Sequence, residues 1–372
     1  MYNRYISSSI NSRLRKNKAI VLIGARQVGK TTLIRELLNN QEYLFLDGDD
    51  SVVRSTIENA NTESIKSIIG NKTLLFIDEA QRINGIGLFC KIIIDQMKGI
   101  QLILSGSSSF ELNNALNEPL TGRKYEFNLY PISWEEFENK HGYITGEQQL
   151  ENRLKFGMYP DVLNNPGEEK DILNQLIDSY LYQDILSFSG IKKSSSLEKL
   201  VQALALQIGS EVSLNELSRL IGIDKNTVNK YIDILEKGFV IFRLPAFSRN
   251  LRNEIKNNQK IYFVDNGVRN AIIGNFNPMD LRQDKGALWE NFLLSERLKQ
   301  NSYKNPYAQM YFWRTSQQQE IDLIEQVGEE LFAYEFKWSD KKIPKFPLTF
   351  TRNYEAQTKF ISKRNFREFV ML

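Results

Sequence analysis

The chain has 372 residues, 41% apolar and 25% charged, with a net charge of +3. That is a globular composition long enough for two or three domains, and too weakly basic to demand a polyanionic partner by itself. Cys90 is the only cysteine and His141 the only histidine, which excludes an internal disulfide and nearly excludes His/Cys zinc sites and Ser-His or Cys-His catalysis.

Chemistry must therefore rest on carboxylates, lysines, arginines and bound metal. No apolar run approaches the roughly 20 residues that cross a bilayer. The N-terminus lacks a signal-peptide core. With a single cysteine, the expectation is a protein of the reducing cytoplasm with no membrane partner.

Residues 2–17 set Arg4, Arg13, Arg15 and Lys16 around Ile6, Ile10 and Leu14, which predicts a short amphipathic helix. Ala19 to Ile23 is an apolar run without polar alternation, the pattern of a buried strand. It enters Gly24-Ala25-Arg26-Gln27-Val28-Gly29-Lys30-Thr31-Thr32, a G-x-x-x-x-G-K-T segment, and Leu33 to Leu38 continues with helical spacing. Strand, loop and helix in this order are the context of a phosphate-binding loop. Gly24 and Gly29 permit a backbone path that turns N–H groups inward onto phosphate. Lys30 then reaches the β- and γ-phosphates of ATP, and Thr31 gives a hydroxyl to Mg²⁺.

Tyr43–Asp47 reads as a strand, residues 51–69 as helical, and Thr73–Asp78 as another strand followed by Glu79. Behind such a loop, Asp78 is expected to hold Mg²⁺ through water and Glu79 to polarise the attacking water. Gly87–Met97 is a predicted helix, Gln101–Ser105 a strand ending in Ser105-Gly-Ser-Ser-Ser109, and Lys124–Leu129 a further strand. This alternation predicts a parallel sheet with helices on both faces. Ser105 and Ser107 stand where a strand end faces the γ-phosphate and are read as sensors of the attacking water. Arg123 is read either as a group reaching the γ-phosphate of a neighbouring subunit, which implies a homo-oligomer, or as a solvated loop arginine. Arg26 is a further candidate for contact with nucleotide or partner.

Residues 131–190 are predicted to be helical and irregular, a lid or linking region. Leu197–Ile208, Ser213–Ile221 and Asn226–Lys237 are then three helices, the second opened by a Ser213/Glu216 capping box, and a strand at 239–244 follows. Helix, tight turn, helix and ribbon make a winged helix-turn-helix. Its recognition helix would present Lys225, Asn226, Thr227, Asn229 and Lys230 to DNA. Across 211–237, four basic residues stand against five acidic ones, which keeps a purely packing role open.

The last third contains a strand at 260–265, a helix at 287–299 carrying Glu290, and strands around Tyr311–Arg314, Glu320–Ile324 and Leu331–Trp338. Asp322 followed by Glu335-x-Lys337 is the pattern of PD-(D/E)xK nucleases. Asp322, Glu335 and Glu290 would hold Mg²⁺ while Lys337 orients water or stabilises the phosphorane. The bland reading is that Lys337 neutralises Glu335 on a solvated sheet. Residues 340–372 hold eight basic residues against three acidic, a bias that suits a polyanion.

Taken together, Gly24–Thr32, Phe76–Glu79, Ser105–Ser108, Leu120–Arg123, Leu129–Ser133, Tyr262–Gly267, Trp289–Asn291, Glu320–Asp322 and Tyr334–Lys337 resemble one family over nearly the whole chain. It is the prokaryotic AAA-type P-loop ATPases with a winged helix and a C-terminal nuclease-like domain of unknown function. The resemblance implies a P-loop ATPase domain at 1–130, a helical region at 131–195, a winged helix at 196–247 and an α/β restriction-endonuclease-like domain at 248–372. It implies ATP and Mg²⁺ as ligands and places Lys30, Thr31, Asp78 and Glu79 in a hydrolytic site. It implies a nuclease-like C-terminal fold, but not that this fold still cuts nucleic acid. The first hypothesis from the residues is an ATPase whose nucleotide state controls a nucleic-acid-directed C-terminal module, with DNA met through the winged helix and the basic tail. The alternative is a nucleotide-dependent switch or scaffold for a protein partner, with a catalytically dead nuclease fold. One departure is Gln183-Asp184, where such chains often carry Arg before Asp; it leaves Arg123 as the main candidate for action in trans.

Overall fold

The computed structural model describes residues 1–107, 112, 115–179, 194–248, 259–340 and 345–371. They form two compact units, Met1–Pro131 with Lys237–Phe239, and Ile132–Glu236 with Val240–Leu372.

The first unit opens with α1 (Ile6–Arg13) and β1 (Ala19–Ile23), every residue of which is buried. Then come α2 (Lys30–Leu37), β2 (Leu44–Asp47), α3 (Ser51–Glu58), α4 (Thr62–Ile69) and β3 (Leu74–Asp78). After them follow α5 (Ile86–Gln96), β4 (Gln101–Gly106) and β5 (Lys124–Asn128). The predicted single helical stretch at 51–69 is two helices. Asp50 caps the first and Asn61 the second, and a chain that offers two good caps starts twice. The five strands run parallel in the order β2-β3-β4-β1-β5. The central strands β1, β3 and β4 are buried throughout and are the near-continuous apolar runs, whereas the edge strands β2 and β5 are only partly covered. This order inserts β4 between the strand feeding the phosphate loop and the strand ending in Asp78. Three strand ends therefore converge at one edge of the sheet.

The second unit begins with α6 (Trp134–His141), whose Ser133 and Glu136 form a reciprocal capping box. Next are α7 (Tyr143–Phe156), α8 (Pro160–Asn164), α9 (Glu169–Leu176) and α10 (Ser194–Leu206). The helices α11 (Leu214–Ile221) and α12 (Lys225–Lys237) then lead to β6 (Ile241–Pro245) and β7 (Gln259–Phe263). The strand at 260–265, read in sequence with the final domain, pairs antiparallel with β6, and Glu211 bridges to Lys260. Beyond lie α13 (Asn266–Ile272), α14 (Lys285–Lys304), β8 (Gln309–Arg314), β9 (Glu320–Val327) and β10 (Glu330–Phe336). The chain ends with α15 (Leu348–Thr351), β11 (Gln357–Ile361) and α16 (Phe366–Val370). These strands make a mixed sheet ordered β11-β10-β9-β8, antiparallel except for β10 against β11.

Candidate nucleotide-binding site

The loop between β1 and α2 is shaped by two glycines with different duties. Gly29 sits at φ +94°, a region that side chains avoid, and caps α2. A Cβ on Gly24 would lie 2.1 Å from the Leu129 carbonyl oxygen, so only glycine lets the loop leave β1 beside the end of β5. Gln27 also takes positive φ, at 62°. From below, the buried Arg4 donates through Nη1 to the Val28 carbonyl at 3.0 Å and through Nη2 to that of Tyr130 at 2.6 Å. Arg4 lies ahead of α1. Its role in bracing the loop was hidden in sequence, because only its charge, not its burial, can be read there.

Lys30 is buried and folds its ammonium onto the loop, donating to Gly24 O at 3.0 Å and Ala25 O at 2.9 Å. Burial holds its pKa below the ordinary lysine value, with Glu79 and Asp78 opposing. Thr31 Oγ1 donates to Asp78 Oδ2 at 2.6 Å, and Ser105 Oγ donates to the other oxygen of the same carboxylate. A hydroxyl and a carboxylate meeting at one point are an all-oxygen donor pair. This suits Mg²⁺, which takes few protein ligands and keeps several waters. Thr31 and Asp78 would hold the ion there, and when bound it neutralises charge on the phosphates.

Glu79 follows β3 in a left-handed conformation at φ 45°, unusual for a residue with a side chain and frequent at functional positions. Its Oε2 accepts from Ser107 Oγ at 3.0 Å and from Gln81 Nε2 at 2.6 Å, and Gln81 Nε2 also lies 3.0 Å from Ser107 Oγ. The predicted residues Lys30, Thr31, Asp78, Glu79, Ser105 and Ser107 thus share one edge. The split between the serines was not foreseen: Ser105 serves Asp78 and Ser107 serves Glu79. Gln81 was missed, and the available signal was a carboxamide two residues beyond a candidate catalytic carboxylate.

Arg123 is elsewhere. It immediately precedes β5, its carbonyl accepts from Ala19 N at 2.9 Å at the start of β1, and its Nε pairs with Asp95 at 2.8 Å. The length of β1, roughly 16 Å at about 3.3 Å per residue, separates it from the phosphate loop. It is excluded from its own chain's site. Ser108, Ser109 and Gln183-Asp184 lie outside the described residues.

In the second unit, Lys337 Nζ stands 3.2 Å from Glu335 and 3.8 Å from Asp322, so β9 and the end of β10 do bring these three together. Asp322 also accepts from Phe336 N at 2.7 Å. Glu290 turns instead to Lys260 at 3.3 Å and to the Tyr262 hydroxyl, and Lys260 pairs with Glu320 as well. Among the described residues no three His, Cys, Asp or Glu side chains are arranged to hold a metal. Ammonium groups stand among Asp322, Glu335 and Glu290, Lys337 beside the first two and Lys260 beside the third. Burial, then the charge of Asp322, pushes Glu290 and Glu335 up to about 7, and burial raises Asp322. Burial alone would lower Lys260 and Lys337, but the surrounding carboxylates raise both.

Residues 16–138 match the family described as AAA domain. Residues 147–279 and 285–369 match two domains of unknown function, DUF8612 and DUF4143. An uncharacterized protein of Mycobacterium tuberculosis is 24% identical over 339 residues, covering 90% of this chain and 73% of its own length. One of Methanocaldococcus jannaschii is 23% identical over 344 residues, covering 86% of this chain and 75% of its own. Among solved structures, a Walker-type ATPase of Pyrococcus abyssi aligns with a TM-score of 0.52 at 16% identity, over 73% of this chain and 96% of that one. At that identity the likeness is one of fold. The first unit carries a P-loop NTPase fold of AAA type.

Proposed function

We propose that the protein binds ATP with Mg²⁺ and hydrolyses it, using the state of that site to control the second unit. The observation that carries this reading is the meeting of Lys30, Thr31, Asp78 and Glu79 at the ends of β1 and β3, with β4 delivering two hydroxyls between them. Lys30 binds the β- and γ-phosphates, the loop N–H groups cradle them, and Asp78 with Thr31 orients the ion. Glu79 accepts a proton from the attacking water, placing it in line with the γ-phosphorus. Arg123, excluded from its own site, completes that of a neighbouring copy.

For the second unit, the reading is a nucleic-acid-directed module. It is supported by the run of α10, α11, α12 and the β6–β7 ribbon, with Lys225, Asn226, Asn229 and Lys230 exposed on α12. The order α14-β8-β9-β10-α15-β11 suits the nuclease-like core. Glu290 is engaged by Lys260 and by the Tyr262 hydroxyl, and the reading is a fold that binds without cutting. The test is to incubate the full chain with Mg-ATP and duplex or single-stranded nucleic acids, following phosphate release and strand integrity. Hydrolysis with intact strands is expected. No hydrolysis under any condition overturns the first reading, and metal-dependent cleavage overturns the binding-only reading of the second.

A further inference from the structure

We infer that Gln81 is a positioning residue for hydrolysis, holding the Glu79 carboxylate in the orientation from which it engages water; the inference rests on the ATPase reading above. Gln81 lies in the short 3₁₀ turn Ala80–Arg82 that follows Glu79. Its orientation is unambiguous, because Glu79 Oε2 and an amide oxygen would both be acceptors, so the nitrogen must face the carboxylate. The two N–H groups are divided between Glu79 Oε2, at 2.6 Å, and Ser107 Oγ, at 3.0 Å. Ser107 turns its own proton to the same Oε2 at 3.0 Å. Three side chains from two strand ends thus close a ring in which Oε2 receives two donors. The second oxygen, Oε1, is left as the one to take a proton from water.

Two further features support a positional role. Among the described residues Gln81 Oε1 is buried without a hydrogen-bond partner, an arrangement that folding alone does not favour. That oxygen also rests against Gly106, where a Cβ would come within 2.6 Å of it, so the Ser-Gly-Ser turn after β4 leaves room for the carboxamide. Glu79 is already confined by its left-handed backbone, and the ring confines its side chain too. Misplacing a reacting group by about 1 Å can cost around 100-fold in rate, which is the scale expected here.

The test compares the full chain with Gln81→Ala and with Gln81→Met, the second close in size but without hydrogen-bond donors. Steady-state hydrolysis and the direct dissociation constant for a non-hydrolysable ATP analogue are measured on each. Both variants are expected to lose about 100-fold in kcat while analogue affinity stays within about 2-fold. In a Glu79→Gln background, Gln81→Ala should add nothing further, since its effect acts through Glu79. Parent-like or faster kcat in either folded variant, or an equal loss of affinity, overturns the positioning role while leaving the ATPase reading intact. An inactive parent overturns the ATPase reading itself.

Discussion

Gly24 is the residue whose replacement isolates the shape of the phosphate loop from its charge. Its missing Cβ would lie 2.1 Å from Leu129 O, a backbone atom that cannot swing aside as a side-chain tip does. Gly24→Ala should therefore displace the loop and weaken ATP at least about tenfold, as read by direct binding. Unaltered affinity would mean that the loop leaves β1 along another path. Lys30→Ala removes the charge facing the phosphates and should abolish detectable nucleotide binding, while relieving the burial of an ammonium. The same direct binding measurement settles it, and parent-like affinity would remove Lys30 from the site. These residues were legible because a phosphate cradle depends on local spacing. Arg4, Gln81 and the separate duties of Ser105 and Ser107 were not, because each depends on which chain segment lies opposite.

At the scale of elements, the second unit holds two buried carboxylates whose titration is moved toward neutral pH. Glu290 and Glu335 ordinarily titrate at 4.5 and are pushed up to about 7 in the folded chain. A folded pKa above the unfolded one gives stability that is complete below about 4.5 and lost as pH rises through about 7. The unfolding midpoint of the parent should fall from about pH 5.5 to pH 8 more steeply than that of Glu335→Gln, whose amide cannot ionise. The difference should be worth roughly 1–3 kcal/mol. Parallel pH profiles would show that Glu335 is ionised throughout. The strands and the helix carrying these residues were visible in sequence as alternation and periodicity. The ion pairs of Glu290 with Lys260 and of Lys260 with Glu320 were not, since β7 was read apart from the ribbon it completes.

For the whole molecule, the proposed action of Arg123 between copies makes a prediction of its own. It stands at the start of β1 and β5, a sheet's length from its own phosphate loop, and is held by Asp95. Hydrolysis per chain should rise with protein concentration, and Arg123→Ala should flatten that rise without weakening ATP. Activity independent of concentration in a chain that sediments as a monomer would contradict this. The alternation of strands with helices in the first unit was readable from its apolar runs, but the order of those strands across the sheet was not. Arg123 directly precedes β5, and in a parallel sheet that alone sets it at the edge opposite the phosphate loop.

The most direct measurement is single-turnover hydrolysis by Glu79→Gln beside its affinity for Mg-ATP. The amide keeps the size of the side chain and removes the base, and the Thr31–Asp78 pair that would hold the ion is untouched. Affinity within about 2-fold of the parent, with hydrolysis slowed by about 10²–10⁴-fold, is the predicted result. Hydrolysis at the parent rate would contradict the account, since water would then be activated somewhere other than at the end of β3.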